Sequence, residues 1–327
     1  MTTLHVPQTL LSFIHEGSTF LIAGHKEPDG DCVGSQLALC SVLSRLGKRA
    51  IPCSTGPFKR PEIASYADQF TAIPHTTDDT RAIIMDCSSL DRTGDLEQYL
   101  AGLPLAIIDH HAAGNPTGDV VFIEPTAPSV TAMTLILIEA LGLIPTKEEA
   151  ELLFFGLCTD TGFFRHVDAN GVLTFDIASR LIHAGASPKK TFQKINGGKS
   201  LASRILLGLI LARTESYFSG RLLISYENLE DTERFGLQGR DSDMLYQLLL
   251  SVAGVEAVAV IRQESSTSCT VGLRSIDTVD VSAIAVQFGG GGHKQASGFT
   301  AAGTIAPLKA ALVQAFQEEF EAGMGPS

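Results

Sequence analysis

Two hydrophobic periodicities alternate through the first half of the chain. Residues 20–23 form an apolar run of the length of a buried strand. Residues 32–46 follow with apolar side chains at 33, 37, 39, 43 and 46, the spacing of one helix face. Further apolar runs at 49–53, 83–85, 105–108 and 120–123 are too short for helices and read as strands. Short apolar strands separated by helices predict an α/β domain, a mostly parallel sheet with helices on both faces. Helices are also predicted at 129–141 and 148–158, with Pro145 and Thr146 as break and cap, and at 173–184, ended by Gly185.

From 187 to 214 the pattern changes. Pro188 opens this stretch, Gly197 and Gly198 interrupt it, and 201–211 is helical. It reads as a helical linker between a domain at 1–186 and a smaller α/β domain at 215–327. In the smaller domain 221–226, 255–261 and 269–273 read as strands, and 242–250, 281–287 and 306–320 as helices. Four glycines in a row, Gly289 to Gly292, lead into His293 and Lys294.

With 327 residues, 44% of them hydrophobic, the chain has material for one large or two medium domains with real cores. The net charge of −12 argues against a protein that rides on long duplex nucleic acid, which needs a basic footprint. A small anionic substrate at a metal site remains compatible, because cations supply local positive charge. The first residues lack a basic n-region and a long h-region, so no signal peptide is expected. The longest apolar stretches, 130–144 and 244–261, are broken by Glu139 and by Gln247 and Glu256, so no membrane span is expected. Six cysteines without a CxxC pair fit a reduced cytoplasm. Cys32, Cys87 and Cys158 read as small buried apolar residues.

The apolar runs end on chemistry. The first leads into His25, Asp29 and Asp31, in a loop that Pro28 and Gly30 turn tightly. Two carboxylates so placed can address neighbouring metals; an acidic surface turn is the plainer reading. Asp86 closes a later run, at the carboxyl edge of the sheet where open α/β folds take ligands. There it is well placed to bridge two cations, or to cap a helix. Asp109, His110 and His111 close another run. Imidazoles beside a core are costly unless hydrogen-bonded or ligated. One ring is therefore expected to ligate a metal while the other faces substrate, with Asp109 orienting one of them. Asp160 ends an apolar helix, where the macrodipole repels a bare carboxylate and a cation relieves it. Arg165 and His166 follow within a turn and meet either a phosphate or solvent. Carboxylates and imidazoles gathered at strand and helix ends are what a two-metal hydrolytic site needs.

In order, HKEPDGD at 25–31, MDCSS around Asp86, DHH at 109–111 and TDTGFF at 159–164 resemble the four motifs of the DHH phosphoesterase superfamily. GGGGHKQASGF at 289–299 resembles the hallmark of its DHHA-type C-terminal domain. The resemblance covers roughly residues 15–320, and the two-domain form is most similar to the nanoRNase and pAp phosphatase branch. It implies that His25 and Asp29 hold one divalent ion, that Asp31, His110 and Asp160 hold a second, and that Asp86 bridges them. His111 is implied to act on the scissile phosphate or the leaving group. Arg274, Gly290, Gly291, Gly292, His293 and Lys294 are implied to bind the far end of the substrate. Manganese is the implied metal, with magnesium or cobalt as substitutes; hard oxygen ligands mixed with imidazole suit it.

The implied activity is that of a cytoplasmic phosphohydrolase, with room for a homodimer and none for a membrane. Its substrates would be short single-stranded RNA or DNA oligomers and dinucleotides, or 3′-phosphoadenosine 5′-phosphate (pAp), cleaved to AMP. A cleft between two domains would limit substrate length. Two cations about 3.5–4 Å apart would share the attacking water. The same scaffold also serves cyclic- or linear-dinucleotide phosphodiesterases and RecJ-like exonucleases, the latter usually with an OB-type domain for which this chain has no room. Pyrophosphatase relatives lack the GGGGH run. A non-catalytic nucleotide-binding regulator would have lost ligands, and here the set is complete.

Overall fold

The computed structural model describes residues 4–111, 116–276 and 279–322. The chain divides into two compact units, Met1–Gly198 and Lys199–Ser327. The stretch read as a linker is shared out: helix Pro188–Asn196 falls in the first unit and helix Leu201–Ala212 in the second.

In the first unit β1 (Thr19–Gly24), β2 (Arg49–Cys53), β3 (Thr80–Met85), β4 (Leu105–Asp109) and β5 (Val120–Ile123) form one sheet, in the order β2-β1-β3-β4-β5. Every pair is parallel. Phe20, Ile22, Ile83, Met85, Ala106 and Ile108 pack on one face; Leu21, Ala23, Ala82, Ile84, Leu105 and Ile107 pack on the other. Burial on both faces explains the unbroken apolar runs. The strand order reverses between β1 and β3, so their carboxyl ends border the crevice where such sheets take ligands. His25 follows β1 and Asp86 follows β3.

Helix Gly30–Arg45 crosses helix Lys147–Asp160 at close range. A Cβ on Gly34 would stand 2.6 Å from the Leu152 carbonyl oxygen, and one on Gly156 would stand 3.0 Å from that of Gly30. These glycines let the backbones meet. The start of one helix thereby comes beside the end of the other, at Gly30 and Thr159. Periodicity missed helix Gln8–Glu16, which adds Leu10, Phe13 and Ile14 to the core.

In the second unit β6 (Glu215–Tyr217), β7 (Leu222–Glu227), β8 (Ala257–Ser265), β9 (Ser268–Ser275), β10 (Gly291–His293) and β11 (Ala296–Ala302) form a sheet in the order β10-β11-β9-β8-β7-β6. β7 and β8 pair in parallel and the other pairs are antiparallel. Helices Val281–Gln287 and Ile305–Ala322 pack on one side, and Leu201–Ala212 and Ser242–Leu250 on the other. The small residues of β10 and β11 carry no strand signal, which is why the sequence reading passed over both. Among the described residues no helix is long and apolar enough to cross a membrane.

Candidate metal centre

Asp29 caps helix Gly30–Arg45. Its Oδ1 accepts from the backbone N–H of Asp31 at 3.0 Å and of Cys32 at 3.1 Å. Asp31 is buried and reaches across to helix Val130–Ala140. Its Oδ2 accepts from the Val130 N–H at 2.6 Å; its Oδ1 accepts from the Thr131 N–H at 2.8 Å and the Thr131 hydroxyl at 2.6 Å. That helix has no acidic residue in its own first turn, so Asp31 supplies the negative charge its dipole favours.

Asp86 follows β3 in left-handed backbone, with φ 63°. Its N–H donates to the Ile108 carbonyl at 3.0 Å. Such strain gathers where function needs it and the surroundings sustain it. Asp109 ends β4. Its Oδ1 accepts from the N–H of His110 at 2.8 Å, the N–H of His111 at 3.2 Å and the Nδ1 of His111 at 2.8 Å. Its buried Oδ2 has no hydrogen-bond partner among the described residues.

Three histidine rings are held alike. Nδ1 of His25 lies 2.9 Å from the Lys26 carbonyl oxygen, that of His110 lies 3.2 Å from the Ala127 carbonyl oxygen, and that of His111 faces Asp109. Each partner only accepts, so Nδ1 carries the proton and Nε2 presents a lone pair when the ring is neutral. Nε2 of His25 is 3.4 Å from Asp86 Oδ2 and 4.0 Å from Asp29 Oδ1. Nε2 of His110 is buried without a hydrogen-bond partner among the described residues, 3.6 Å from Asp160 Oδ2 and 3.8 Å from Asp86 Oδ1. A lone pair facing two carboxylates is repulsive unless a proton or a metal cation stands among them.

Candidate ligand atoms gather in three groups, each within 4.8 Å: His25, Cys32 and Asp86; Asp86, His110 and His111; Asp31, His110 and Asp160. Burial, reinforced by Asp31, Asp29, Asp160 and Asp109, drives Asp86 well above the usual carboxylate range. At Asp31 burial outweighs the pull of His110 and Thr131, and its pKa also rises. Asp160 is pushed up to about 7, by burial first and then by Asp31 and Asp29, with His111 and Arg60 opposing. A divalent cation answers both causes, replacing lost solvation and neutralising the crowd. Carboxylate oxygens mixed with imidazole are ordinary ligands of a divalent cation. Cys32 is a poor ligand: burial first, then Asp86 and Asp29, push its thiol far up, and its Sγ donates to Gln36 Oε1 at 3.4 Å.

The family model for the DHH family, N-terminal domain, matches residues 19–157, and that for the DHHA1 domain matches residues 220–322. The first unit carries the N-terminal domain of the DHH family. The second unit carries the DHHA1 domain. The chain is 29% identical over 308 residues to the bifunctional oligoribonuclease and PAP phosphatase NrnA of Thermus thermophilus, covering 92% of this chain and 88% of that protein. It is 25% identical over 283 residues to the protein of the same name from Bacillus subtilis, covering 86% and 88%. The crystal structure of an exopolyphosphatase-related protein from Bacteroides fragilis has the same fold, with a TM-score of 0.79 and 22% identity over 96% of this chain and 95% of that one.

The four glycines of the DHHA1 domain are not one open loop. The N–H groups of Gly289 and Gly290 donate to the carbonyls of Val286 at 3.0 Å and Ala285 at 2.9 Å, closing helix Val281–Gln287. Gly290 and Gly292 lie against β11: a Cβ on the first would stand 2.3 Å from the Gly298 carbonyl oxygen, and one on the second 2.6 Å from that of Ala296. Gly291 pairs with Gly298 and through it with Gly272; His293 pairs with Ala296 and through it with Arg274. Paired residues share a face, so Gly291, His293 and Arg274 present to the same side of the sheet. His293 and Lys294 are exposed.

Arg165 and His166 are exposed and fold back on their own turn. Nε of Arg165 donates to the Gly162 carbonyl at 2.8 Å, and the His166 ring lies where a Cβ on Gly162 would stand 2.5 Å away. Sequence reading missed Ala127, Val130 and Thr131, whose backbones hold His110 and Asp31. A main-chain partner leaves no side-chain signature. It also missed Arg60, which lies outside every motif.

Proposed function

We propose that the chain is a divalent-metal-dependent phosphohydrolase. It cleaves short oligonucleotides and dinucleotides to mononucleotides and converts pAp to AMP. The observation that carries this reading is the buried Nε2 of His110, aimed at Asp160 and Asp86 with no hydrogen-bond partner among the described residues. The substrate class is supported by similarity, along most of both chains, to two proteins named as bifunctional oligoribonucleases and PAP phosphatases.

His25 and Asp29 would hold one cation, Asp29 with the Oδ2 that its cap leaves over. Asp31, His110 and Asp160 would hold the other, with Asp86 as the ligand shared between the two. Manganese is the preferred ion, with magnesium or cobalt as substitutes. When bound, such ions neutralise charge on phosphoryl oxygens and lower the pKa of a water toward neutrality. Asp109 fixes the His111 ring through Nδ1. The His111 side chain is 54% exposed, so its Nε2 can meet substrate and, when the ring carries a second proton, pass that proton to the leaving oxygen. Arg274, Gly290, Gly291, Gly292, His293 and Lys294 hold the nucleotide or phosphate remote from the cleaved bond. Six buried free cysteines support a reducing compartment, the cytoplasm.

A product profile tests the reading: purified protein with manganese, offered pAp, a labelled dinucleotide and a labelled single strand of about 24 nucleotides. AMP from pAp and mononucleotides from the dinucleotide are expected. Failure to release either product, with metal bound, overturns the proposal.

A further inference from the structure

Tyr246, on helix Ser242–Leu250, packs against the sheet of the second unit with only 5% of its surface exposed. Its ring lies beneath the guanidinium of Arg274, whose Cζ is 4.7 Å from the ring centroid. Its hydroxyl end meets β9 at Gly272, where a Cβ would stand 2.1 Å from the hydroxyl oxygen. The hydroxyl makes no well-formed hydrogen bond among the described residues. Burial pushes the phenol up, and Arg262 and Arg274 oppose it, Arg262 also as a hydrogen-bonding neighbour.

Two costs therefore fall on one contact. A glycine inside a strand weakens it, and a buried hydroxyl without a well-formed hydrogen bond is unfavourable. What the contact yields is the placement of Arg274. Its guanidinium rests on the ring, and its Nη1 donates to the Leu273 carbonyl at 2.9 Å. An arginine so fixed has less freedom to lose when it meets an anion. Gly272 and Arg274 stand in register with the Gly291 and His293 rows, so the fixed guanidinium serves the face that carries them.

We propose that Tyr246 is a positioning residue for Arg274, and that Gly272 is the vacancy that admits it. The proposal rests on Arg274 being a substrate-binding residue. Tyr246 does not touch substrate; it acts through Arg274 and governs affinity for nucleotides, not the chemical step.

Steady-state kinetics of the full chain with manganese, on a dinucleotide and on bis-p-nitrophenyl phosphate, test this. Tyr246→Phe keeps the ring and should stay within about twofold of the parent KM. Tyr246→Leu should raise KM for the dinucleotide roughly fivefold, the scale of one cation–π contact, with kcat and the artificial ester little changed. Gly272→Ala should raise KM likewise, because its Cβ displaces the ring. Adding Tyr246→Phe to Gly272→Ala should restore KM, because the colliding oxygen is gone. In an Arg274→Ala background Tyr246→Leu should cost nothing further.

If Tyr246→Leu raises KM equally with and without Arg274, positioning is overturned while substrate binding by Arg274 stands. If Arg274→Ala leaves KM unchanged, substrate binding by Arg274 falls and the proposal falls with it. Should Tyr246→Leu fail to fold, the glycine pair decides: a KM rise in Gly272→Ala that Tyr246→Phe does not reverse overturns the proposal.

Discussion

Nδ1 of His110 donates to the main-chain carbonyl of Ala127 at 3.2 Å, and this one hydrogen bond turns the buried Nε2 lone pair toward Asp160 and Asp86. His111 beside it is held through Nδ1 in the same way, by the Asp109 carboxylate, but its side chain is 54% exposed. The difference in burial is what separates the roles proposed for the two adjacent histidines. His110→Ala should lower metal content, since it removes a ligand. His111→Ala should keep the metal and slow single-turnover cleavage by about 100-fold, the scale of general acid–base catalysis. Metal analysis beside single-turnover rates separates the two. Equal metal loss in both variants contradicts the division of roles.

Asp86 is the carboxylate shared by two ligand groups, and it stands in left-handed backbone. Asparagine tolerates that backbone, so Asp86→Asn should fold. It removes a charge that burial and four other carboxylates already oppose. The metal-free variant should therefore melt higher than the metal-free parent at neutral pH. Turnover should fall at least ~100-fold, comparable to losing a major electrostatic stabiliser. A variant with full metal and near-parental kcat sinks the bridging role.

The same crowding sets a pH dependence in the chelated protein. Asp160 has a folded pKa of about 7, above its model-peptide value of 3.8. Between those values the folded state binds more protons than the unfolded chain, so stability is greatest below that range and falls as pH rises through it. Asp31 and Asp86, also raised, act in the same direction. In EDTA the melting temperature should be lower at about pH 8 than at about pH 5.5, and manganese should narrow the gap. A chelated protein that melts equally at both would mean the carboxylates are not crowded in solution.

How far these residues were legible varies with what holds them. The acids and imidazoles announced themselves because strands buried on both faces end abruptly on them, as β3 ends before Asp86 and β4 ends on Asp109. Strand β5, at 120–123, and helix Ser242–Leu250 were legible to the residue, since polar or turn residues bound both. Asp31 was legible as an acid in a turn, but not as the charge at the start of a helix about a hundred positions later; only tertiary packing creates that contact. The glycine run was visible, yet its division into helix closure and edge strand depends on β11, whose Ala, Ser and Gly residues lack β-branched signals.

Substrate length follows from charge. A protein of net charge −12 repels a long polyanion beyond the reach of any local cations, whereas a dinucleotide keeps its few phosphates near them. Dinucleotides and other very short oligomers should have higher kcat/KM than a strand of about 24 nucleotides, and added salt should narrow the difference. Equal or higher kcat/KM on the long strand would falsify this expectation.

The DHHA1 domain offers the sharpest separation between binding and chemistry. His293 and Arg274 belong to one row of the sheet, through Ala296, and to the face that also carries Gly291. His293 is exposed, while Arg274 is half-buried against Tyr246. Neither belongs to a ligand group of the metal centre. Remote contacts lower KM when they grip ground state and transition state alike, and they matter only for substrates long enough to reach them. His293→Ala and Arg274→Ala should each raise KM for pAp and for a dinucleotide about tenfold, the worth of one charge-assisted hydrogen bond. Bis-p-nitrophenyl phosphate has no remote nucleotide and should be hydrolysed nearly as by the parent. The arginine should cost more than the histidine, because its guanidinium is held on the Tyr246 ring and can meet an anion with two donors. An equal loss on the artificial ester would mean that these residues act through the metal centre or through folding; unchanged metal content and melting temperature would then leave only the former.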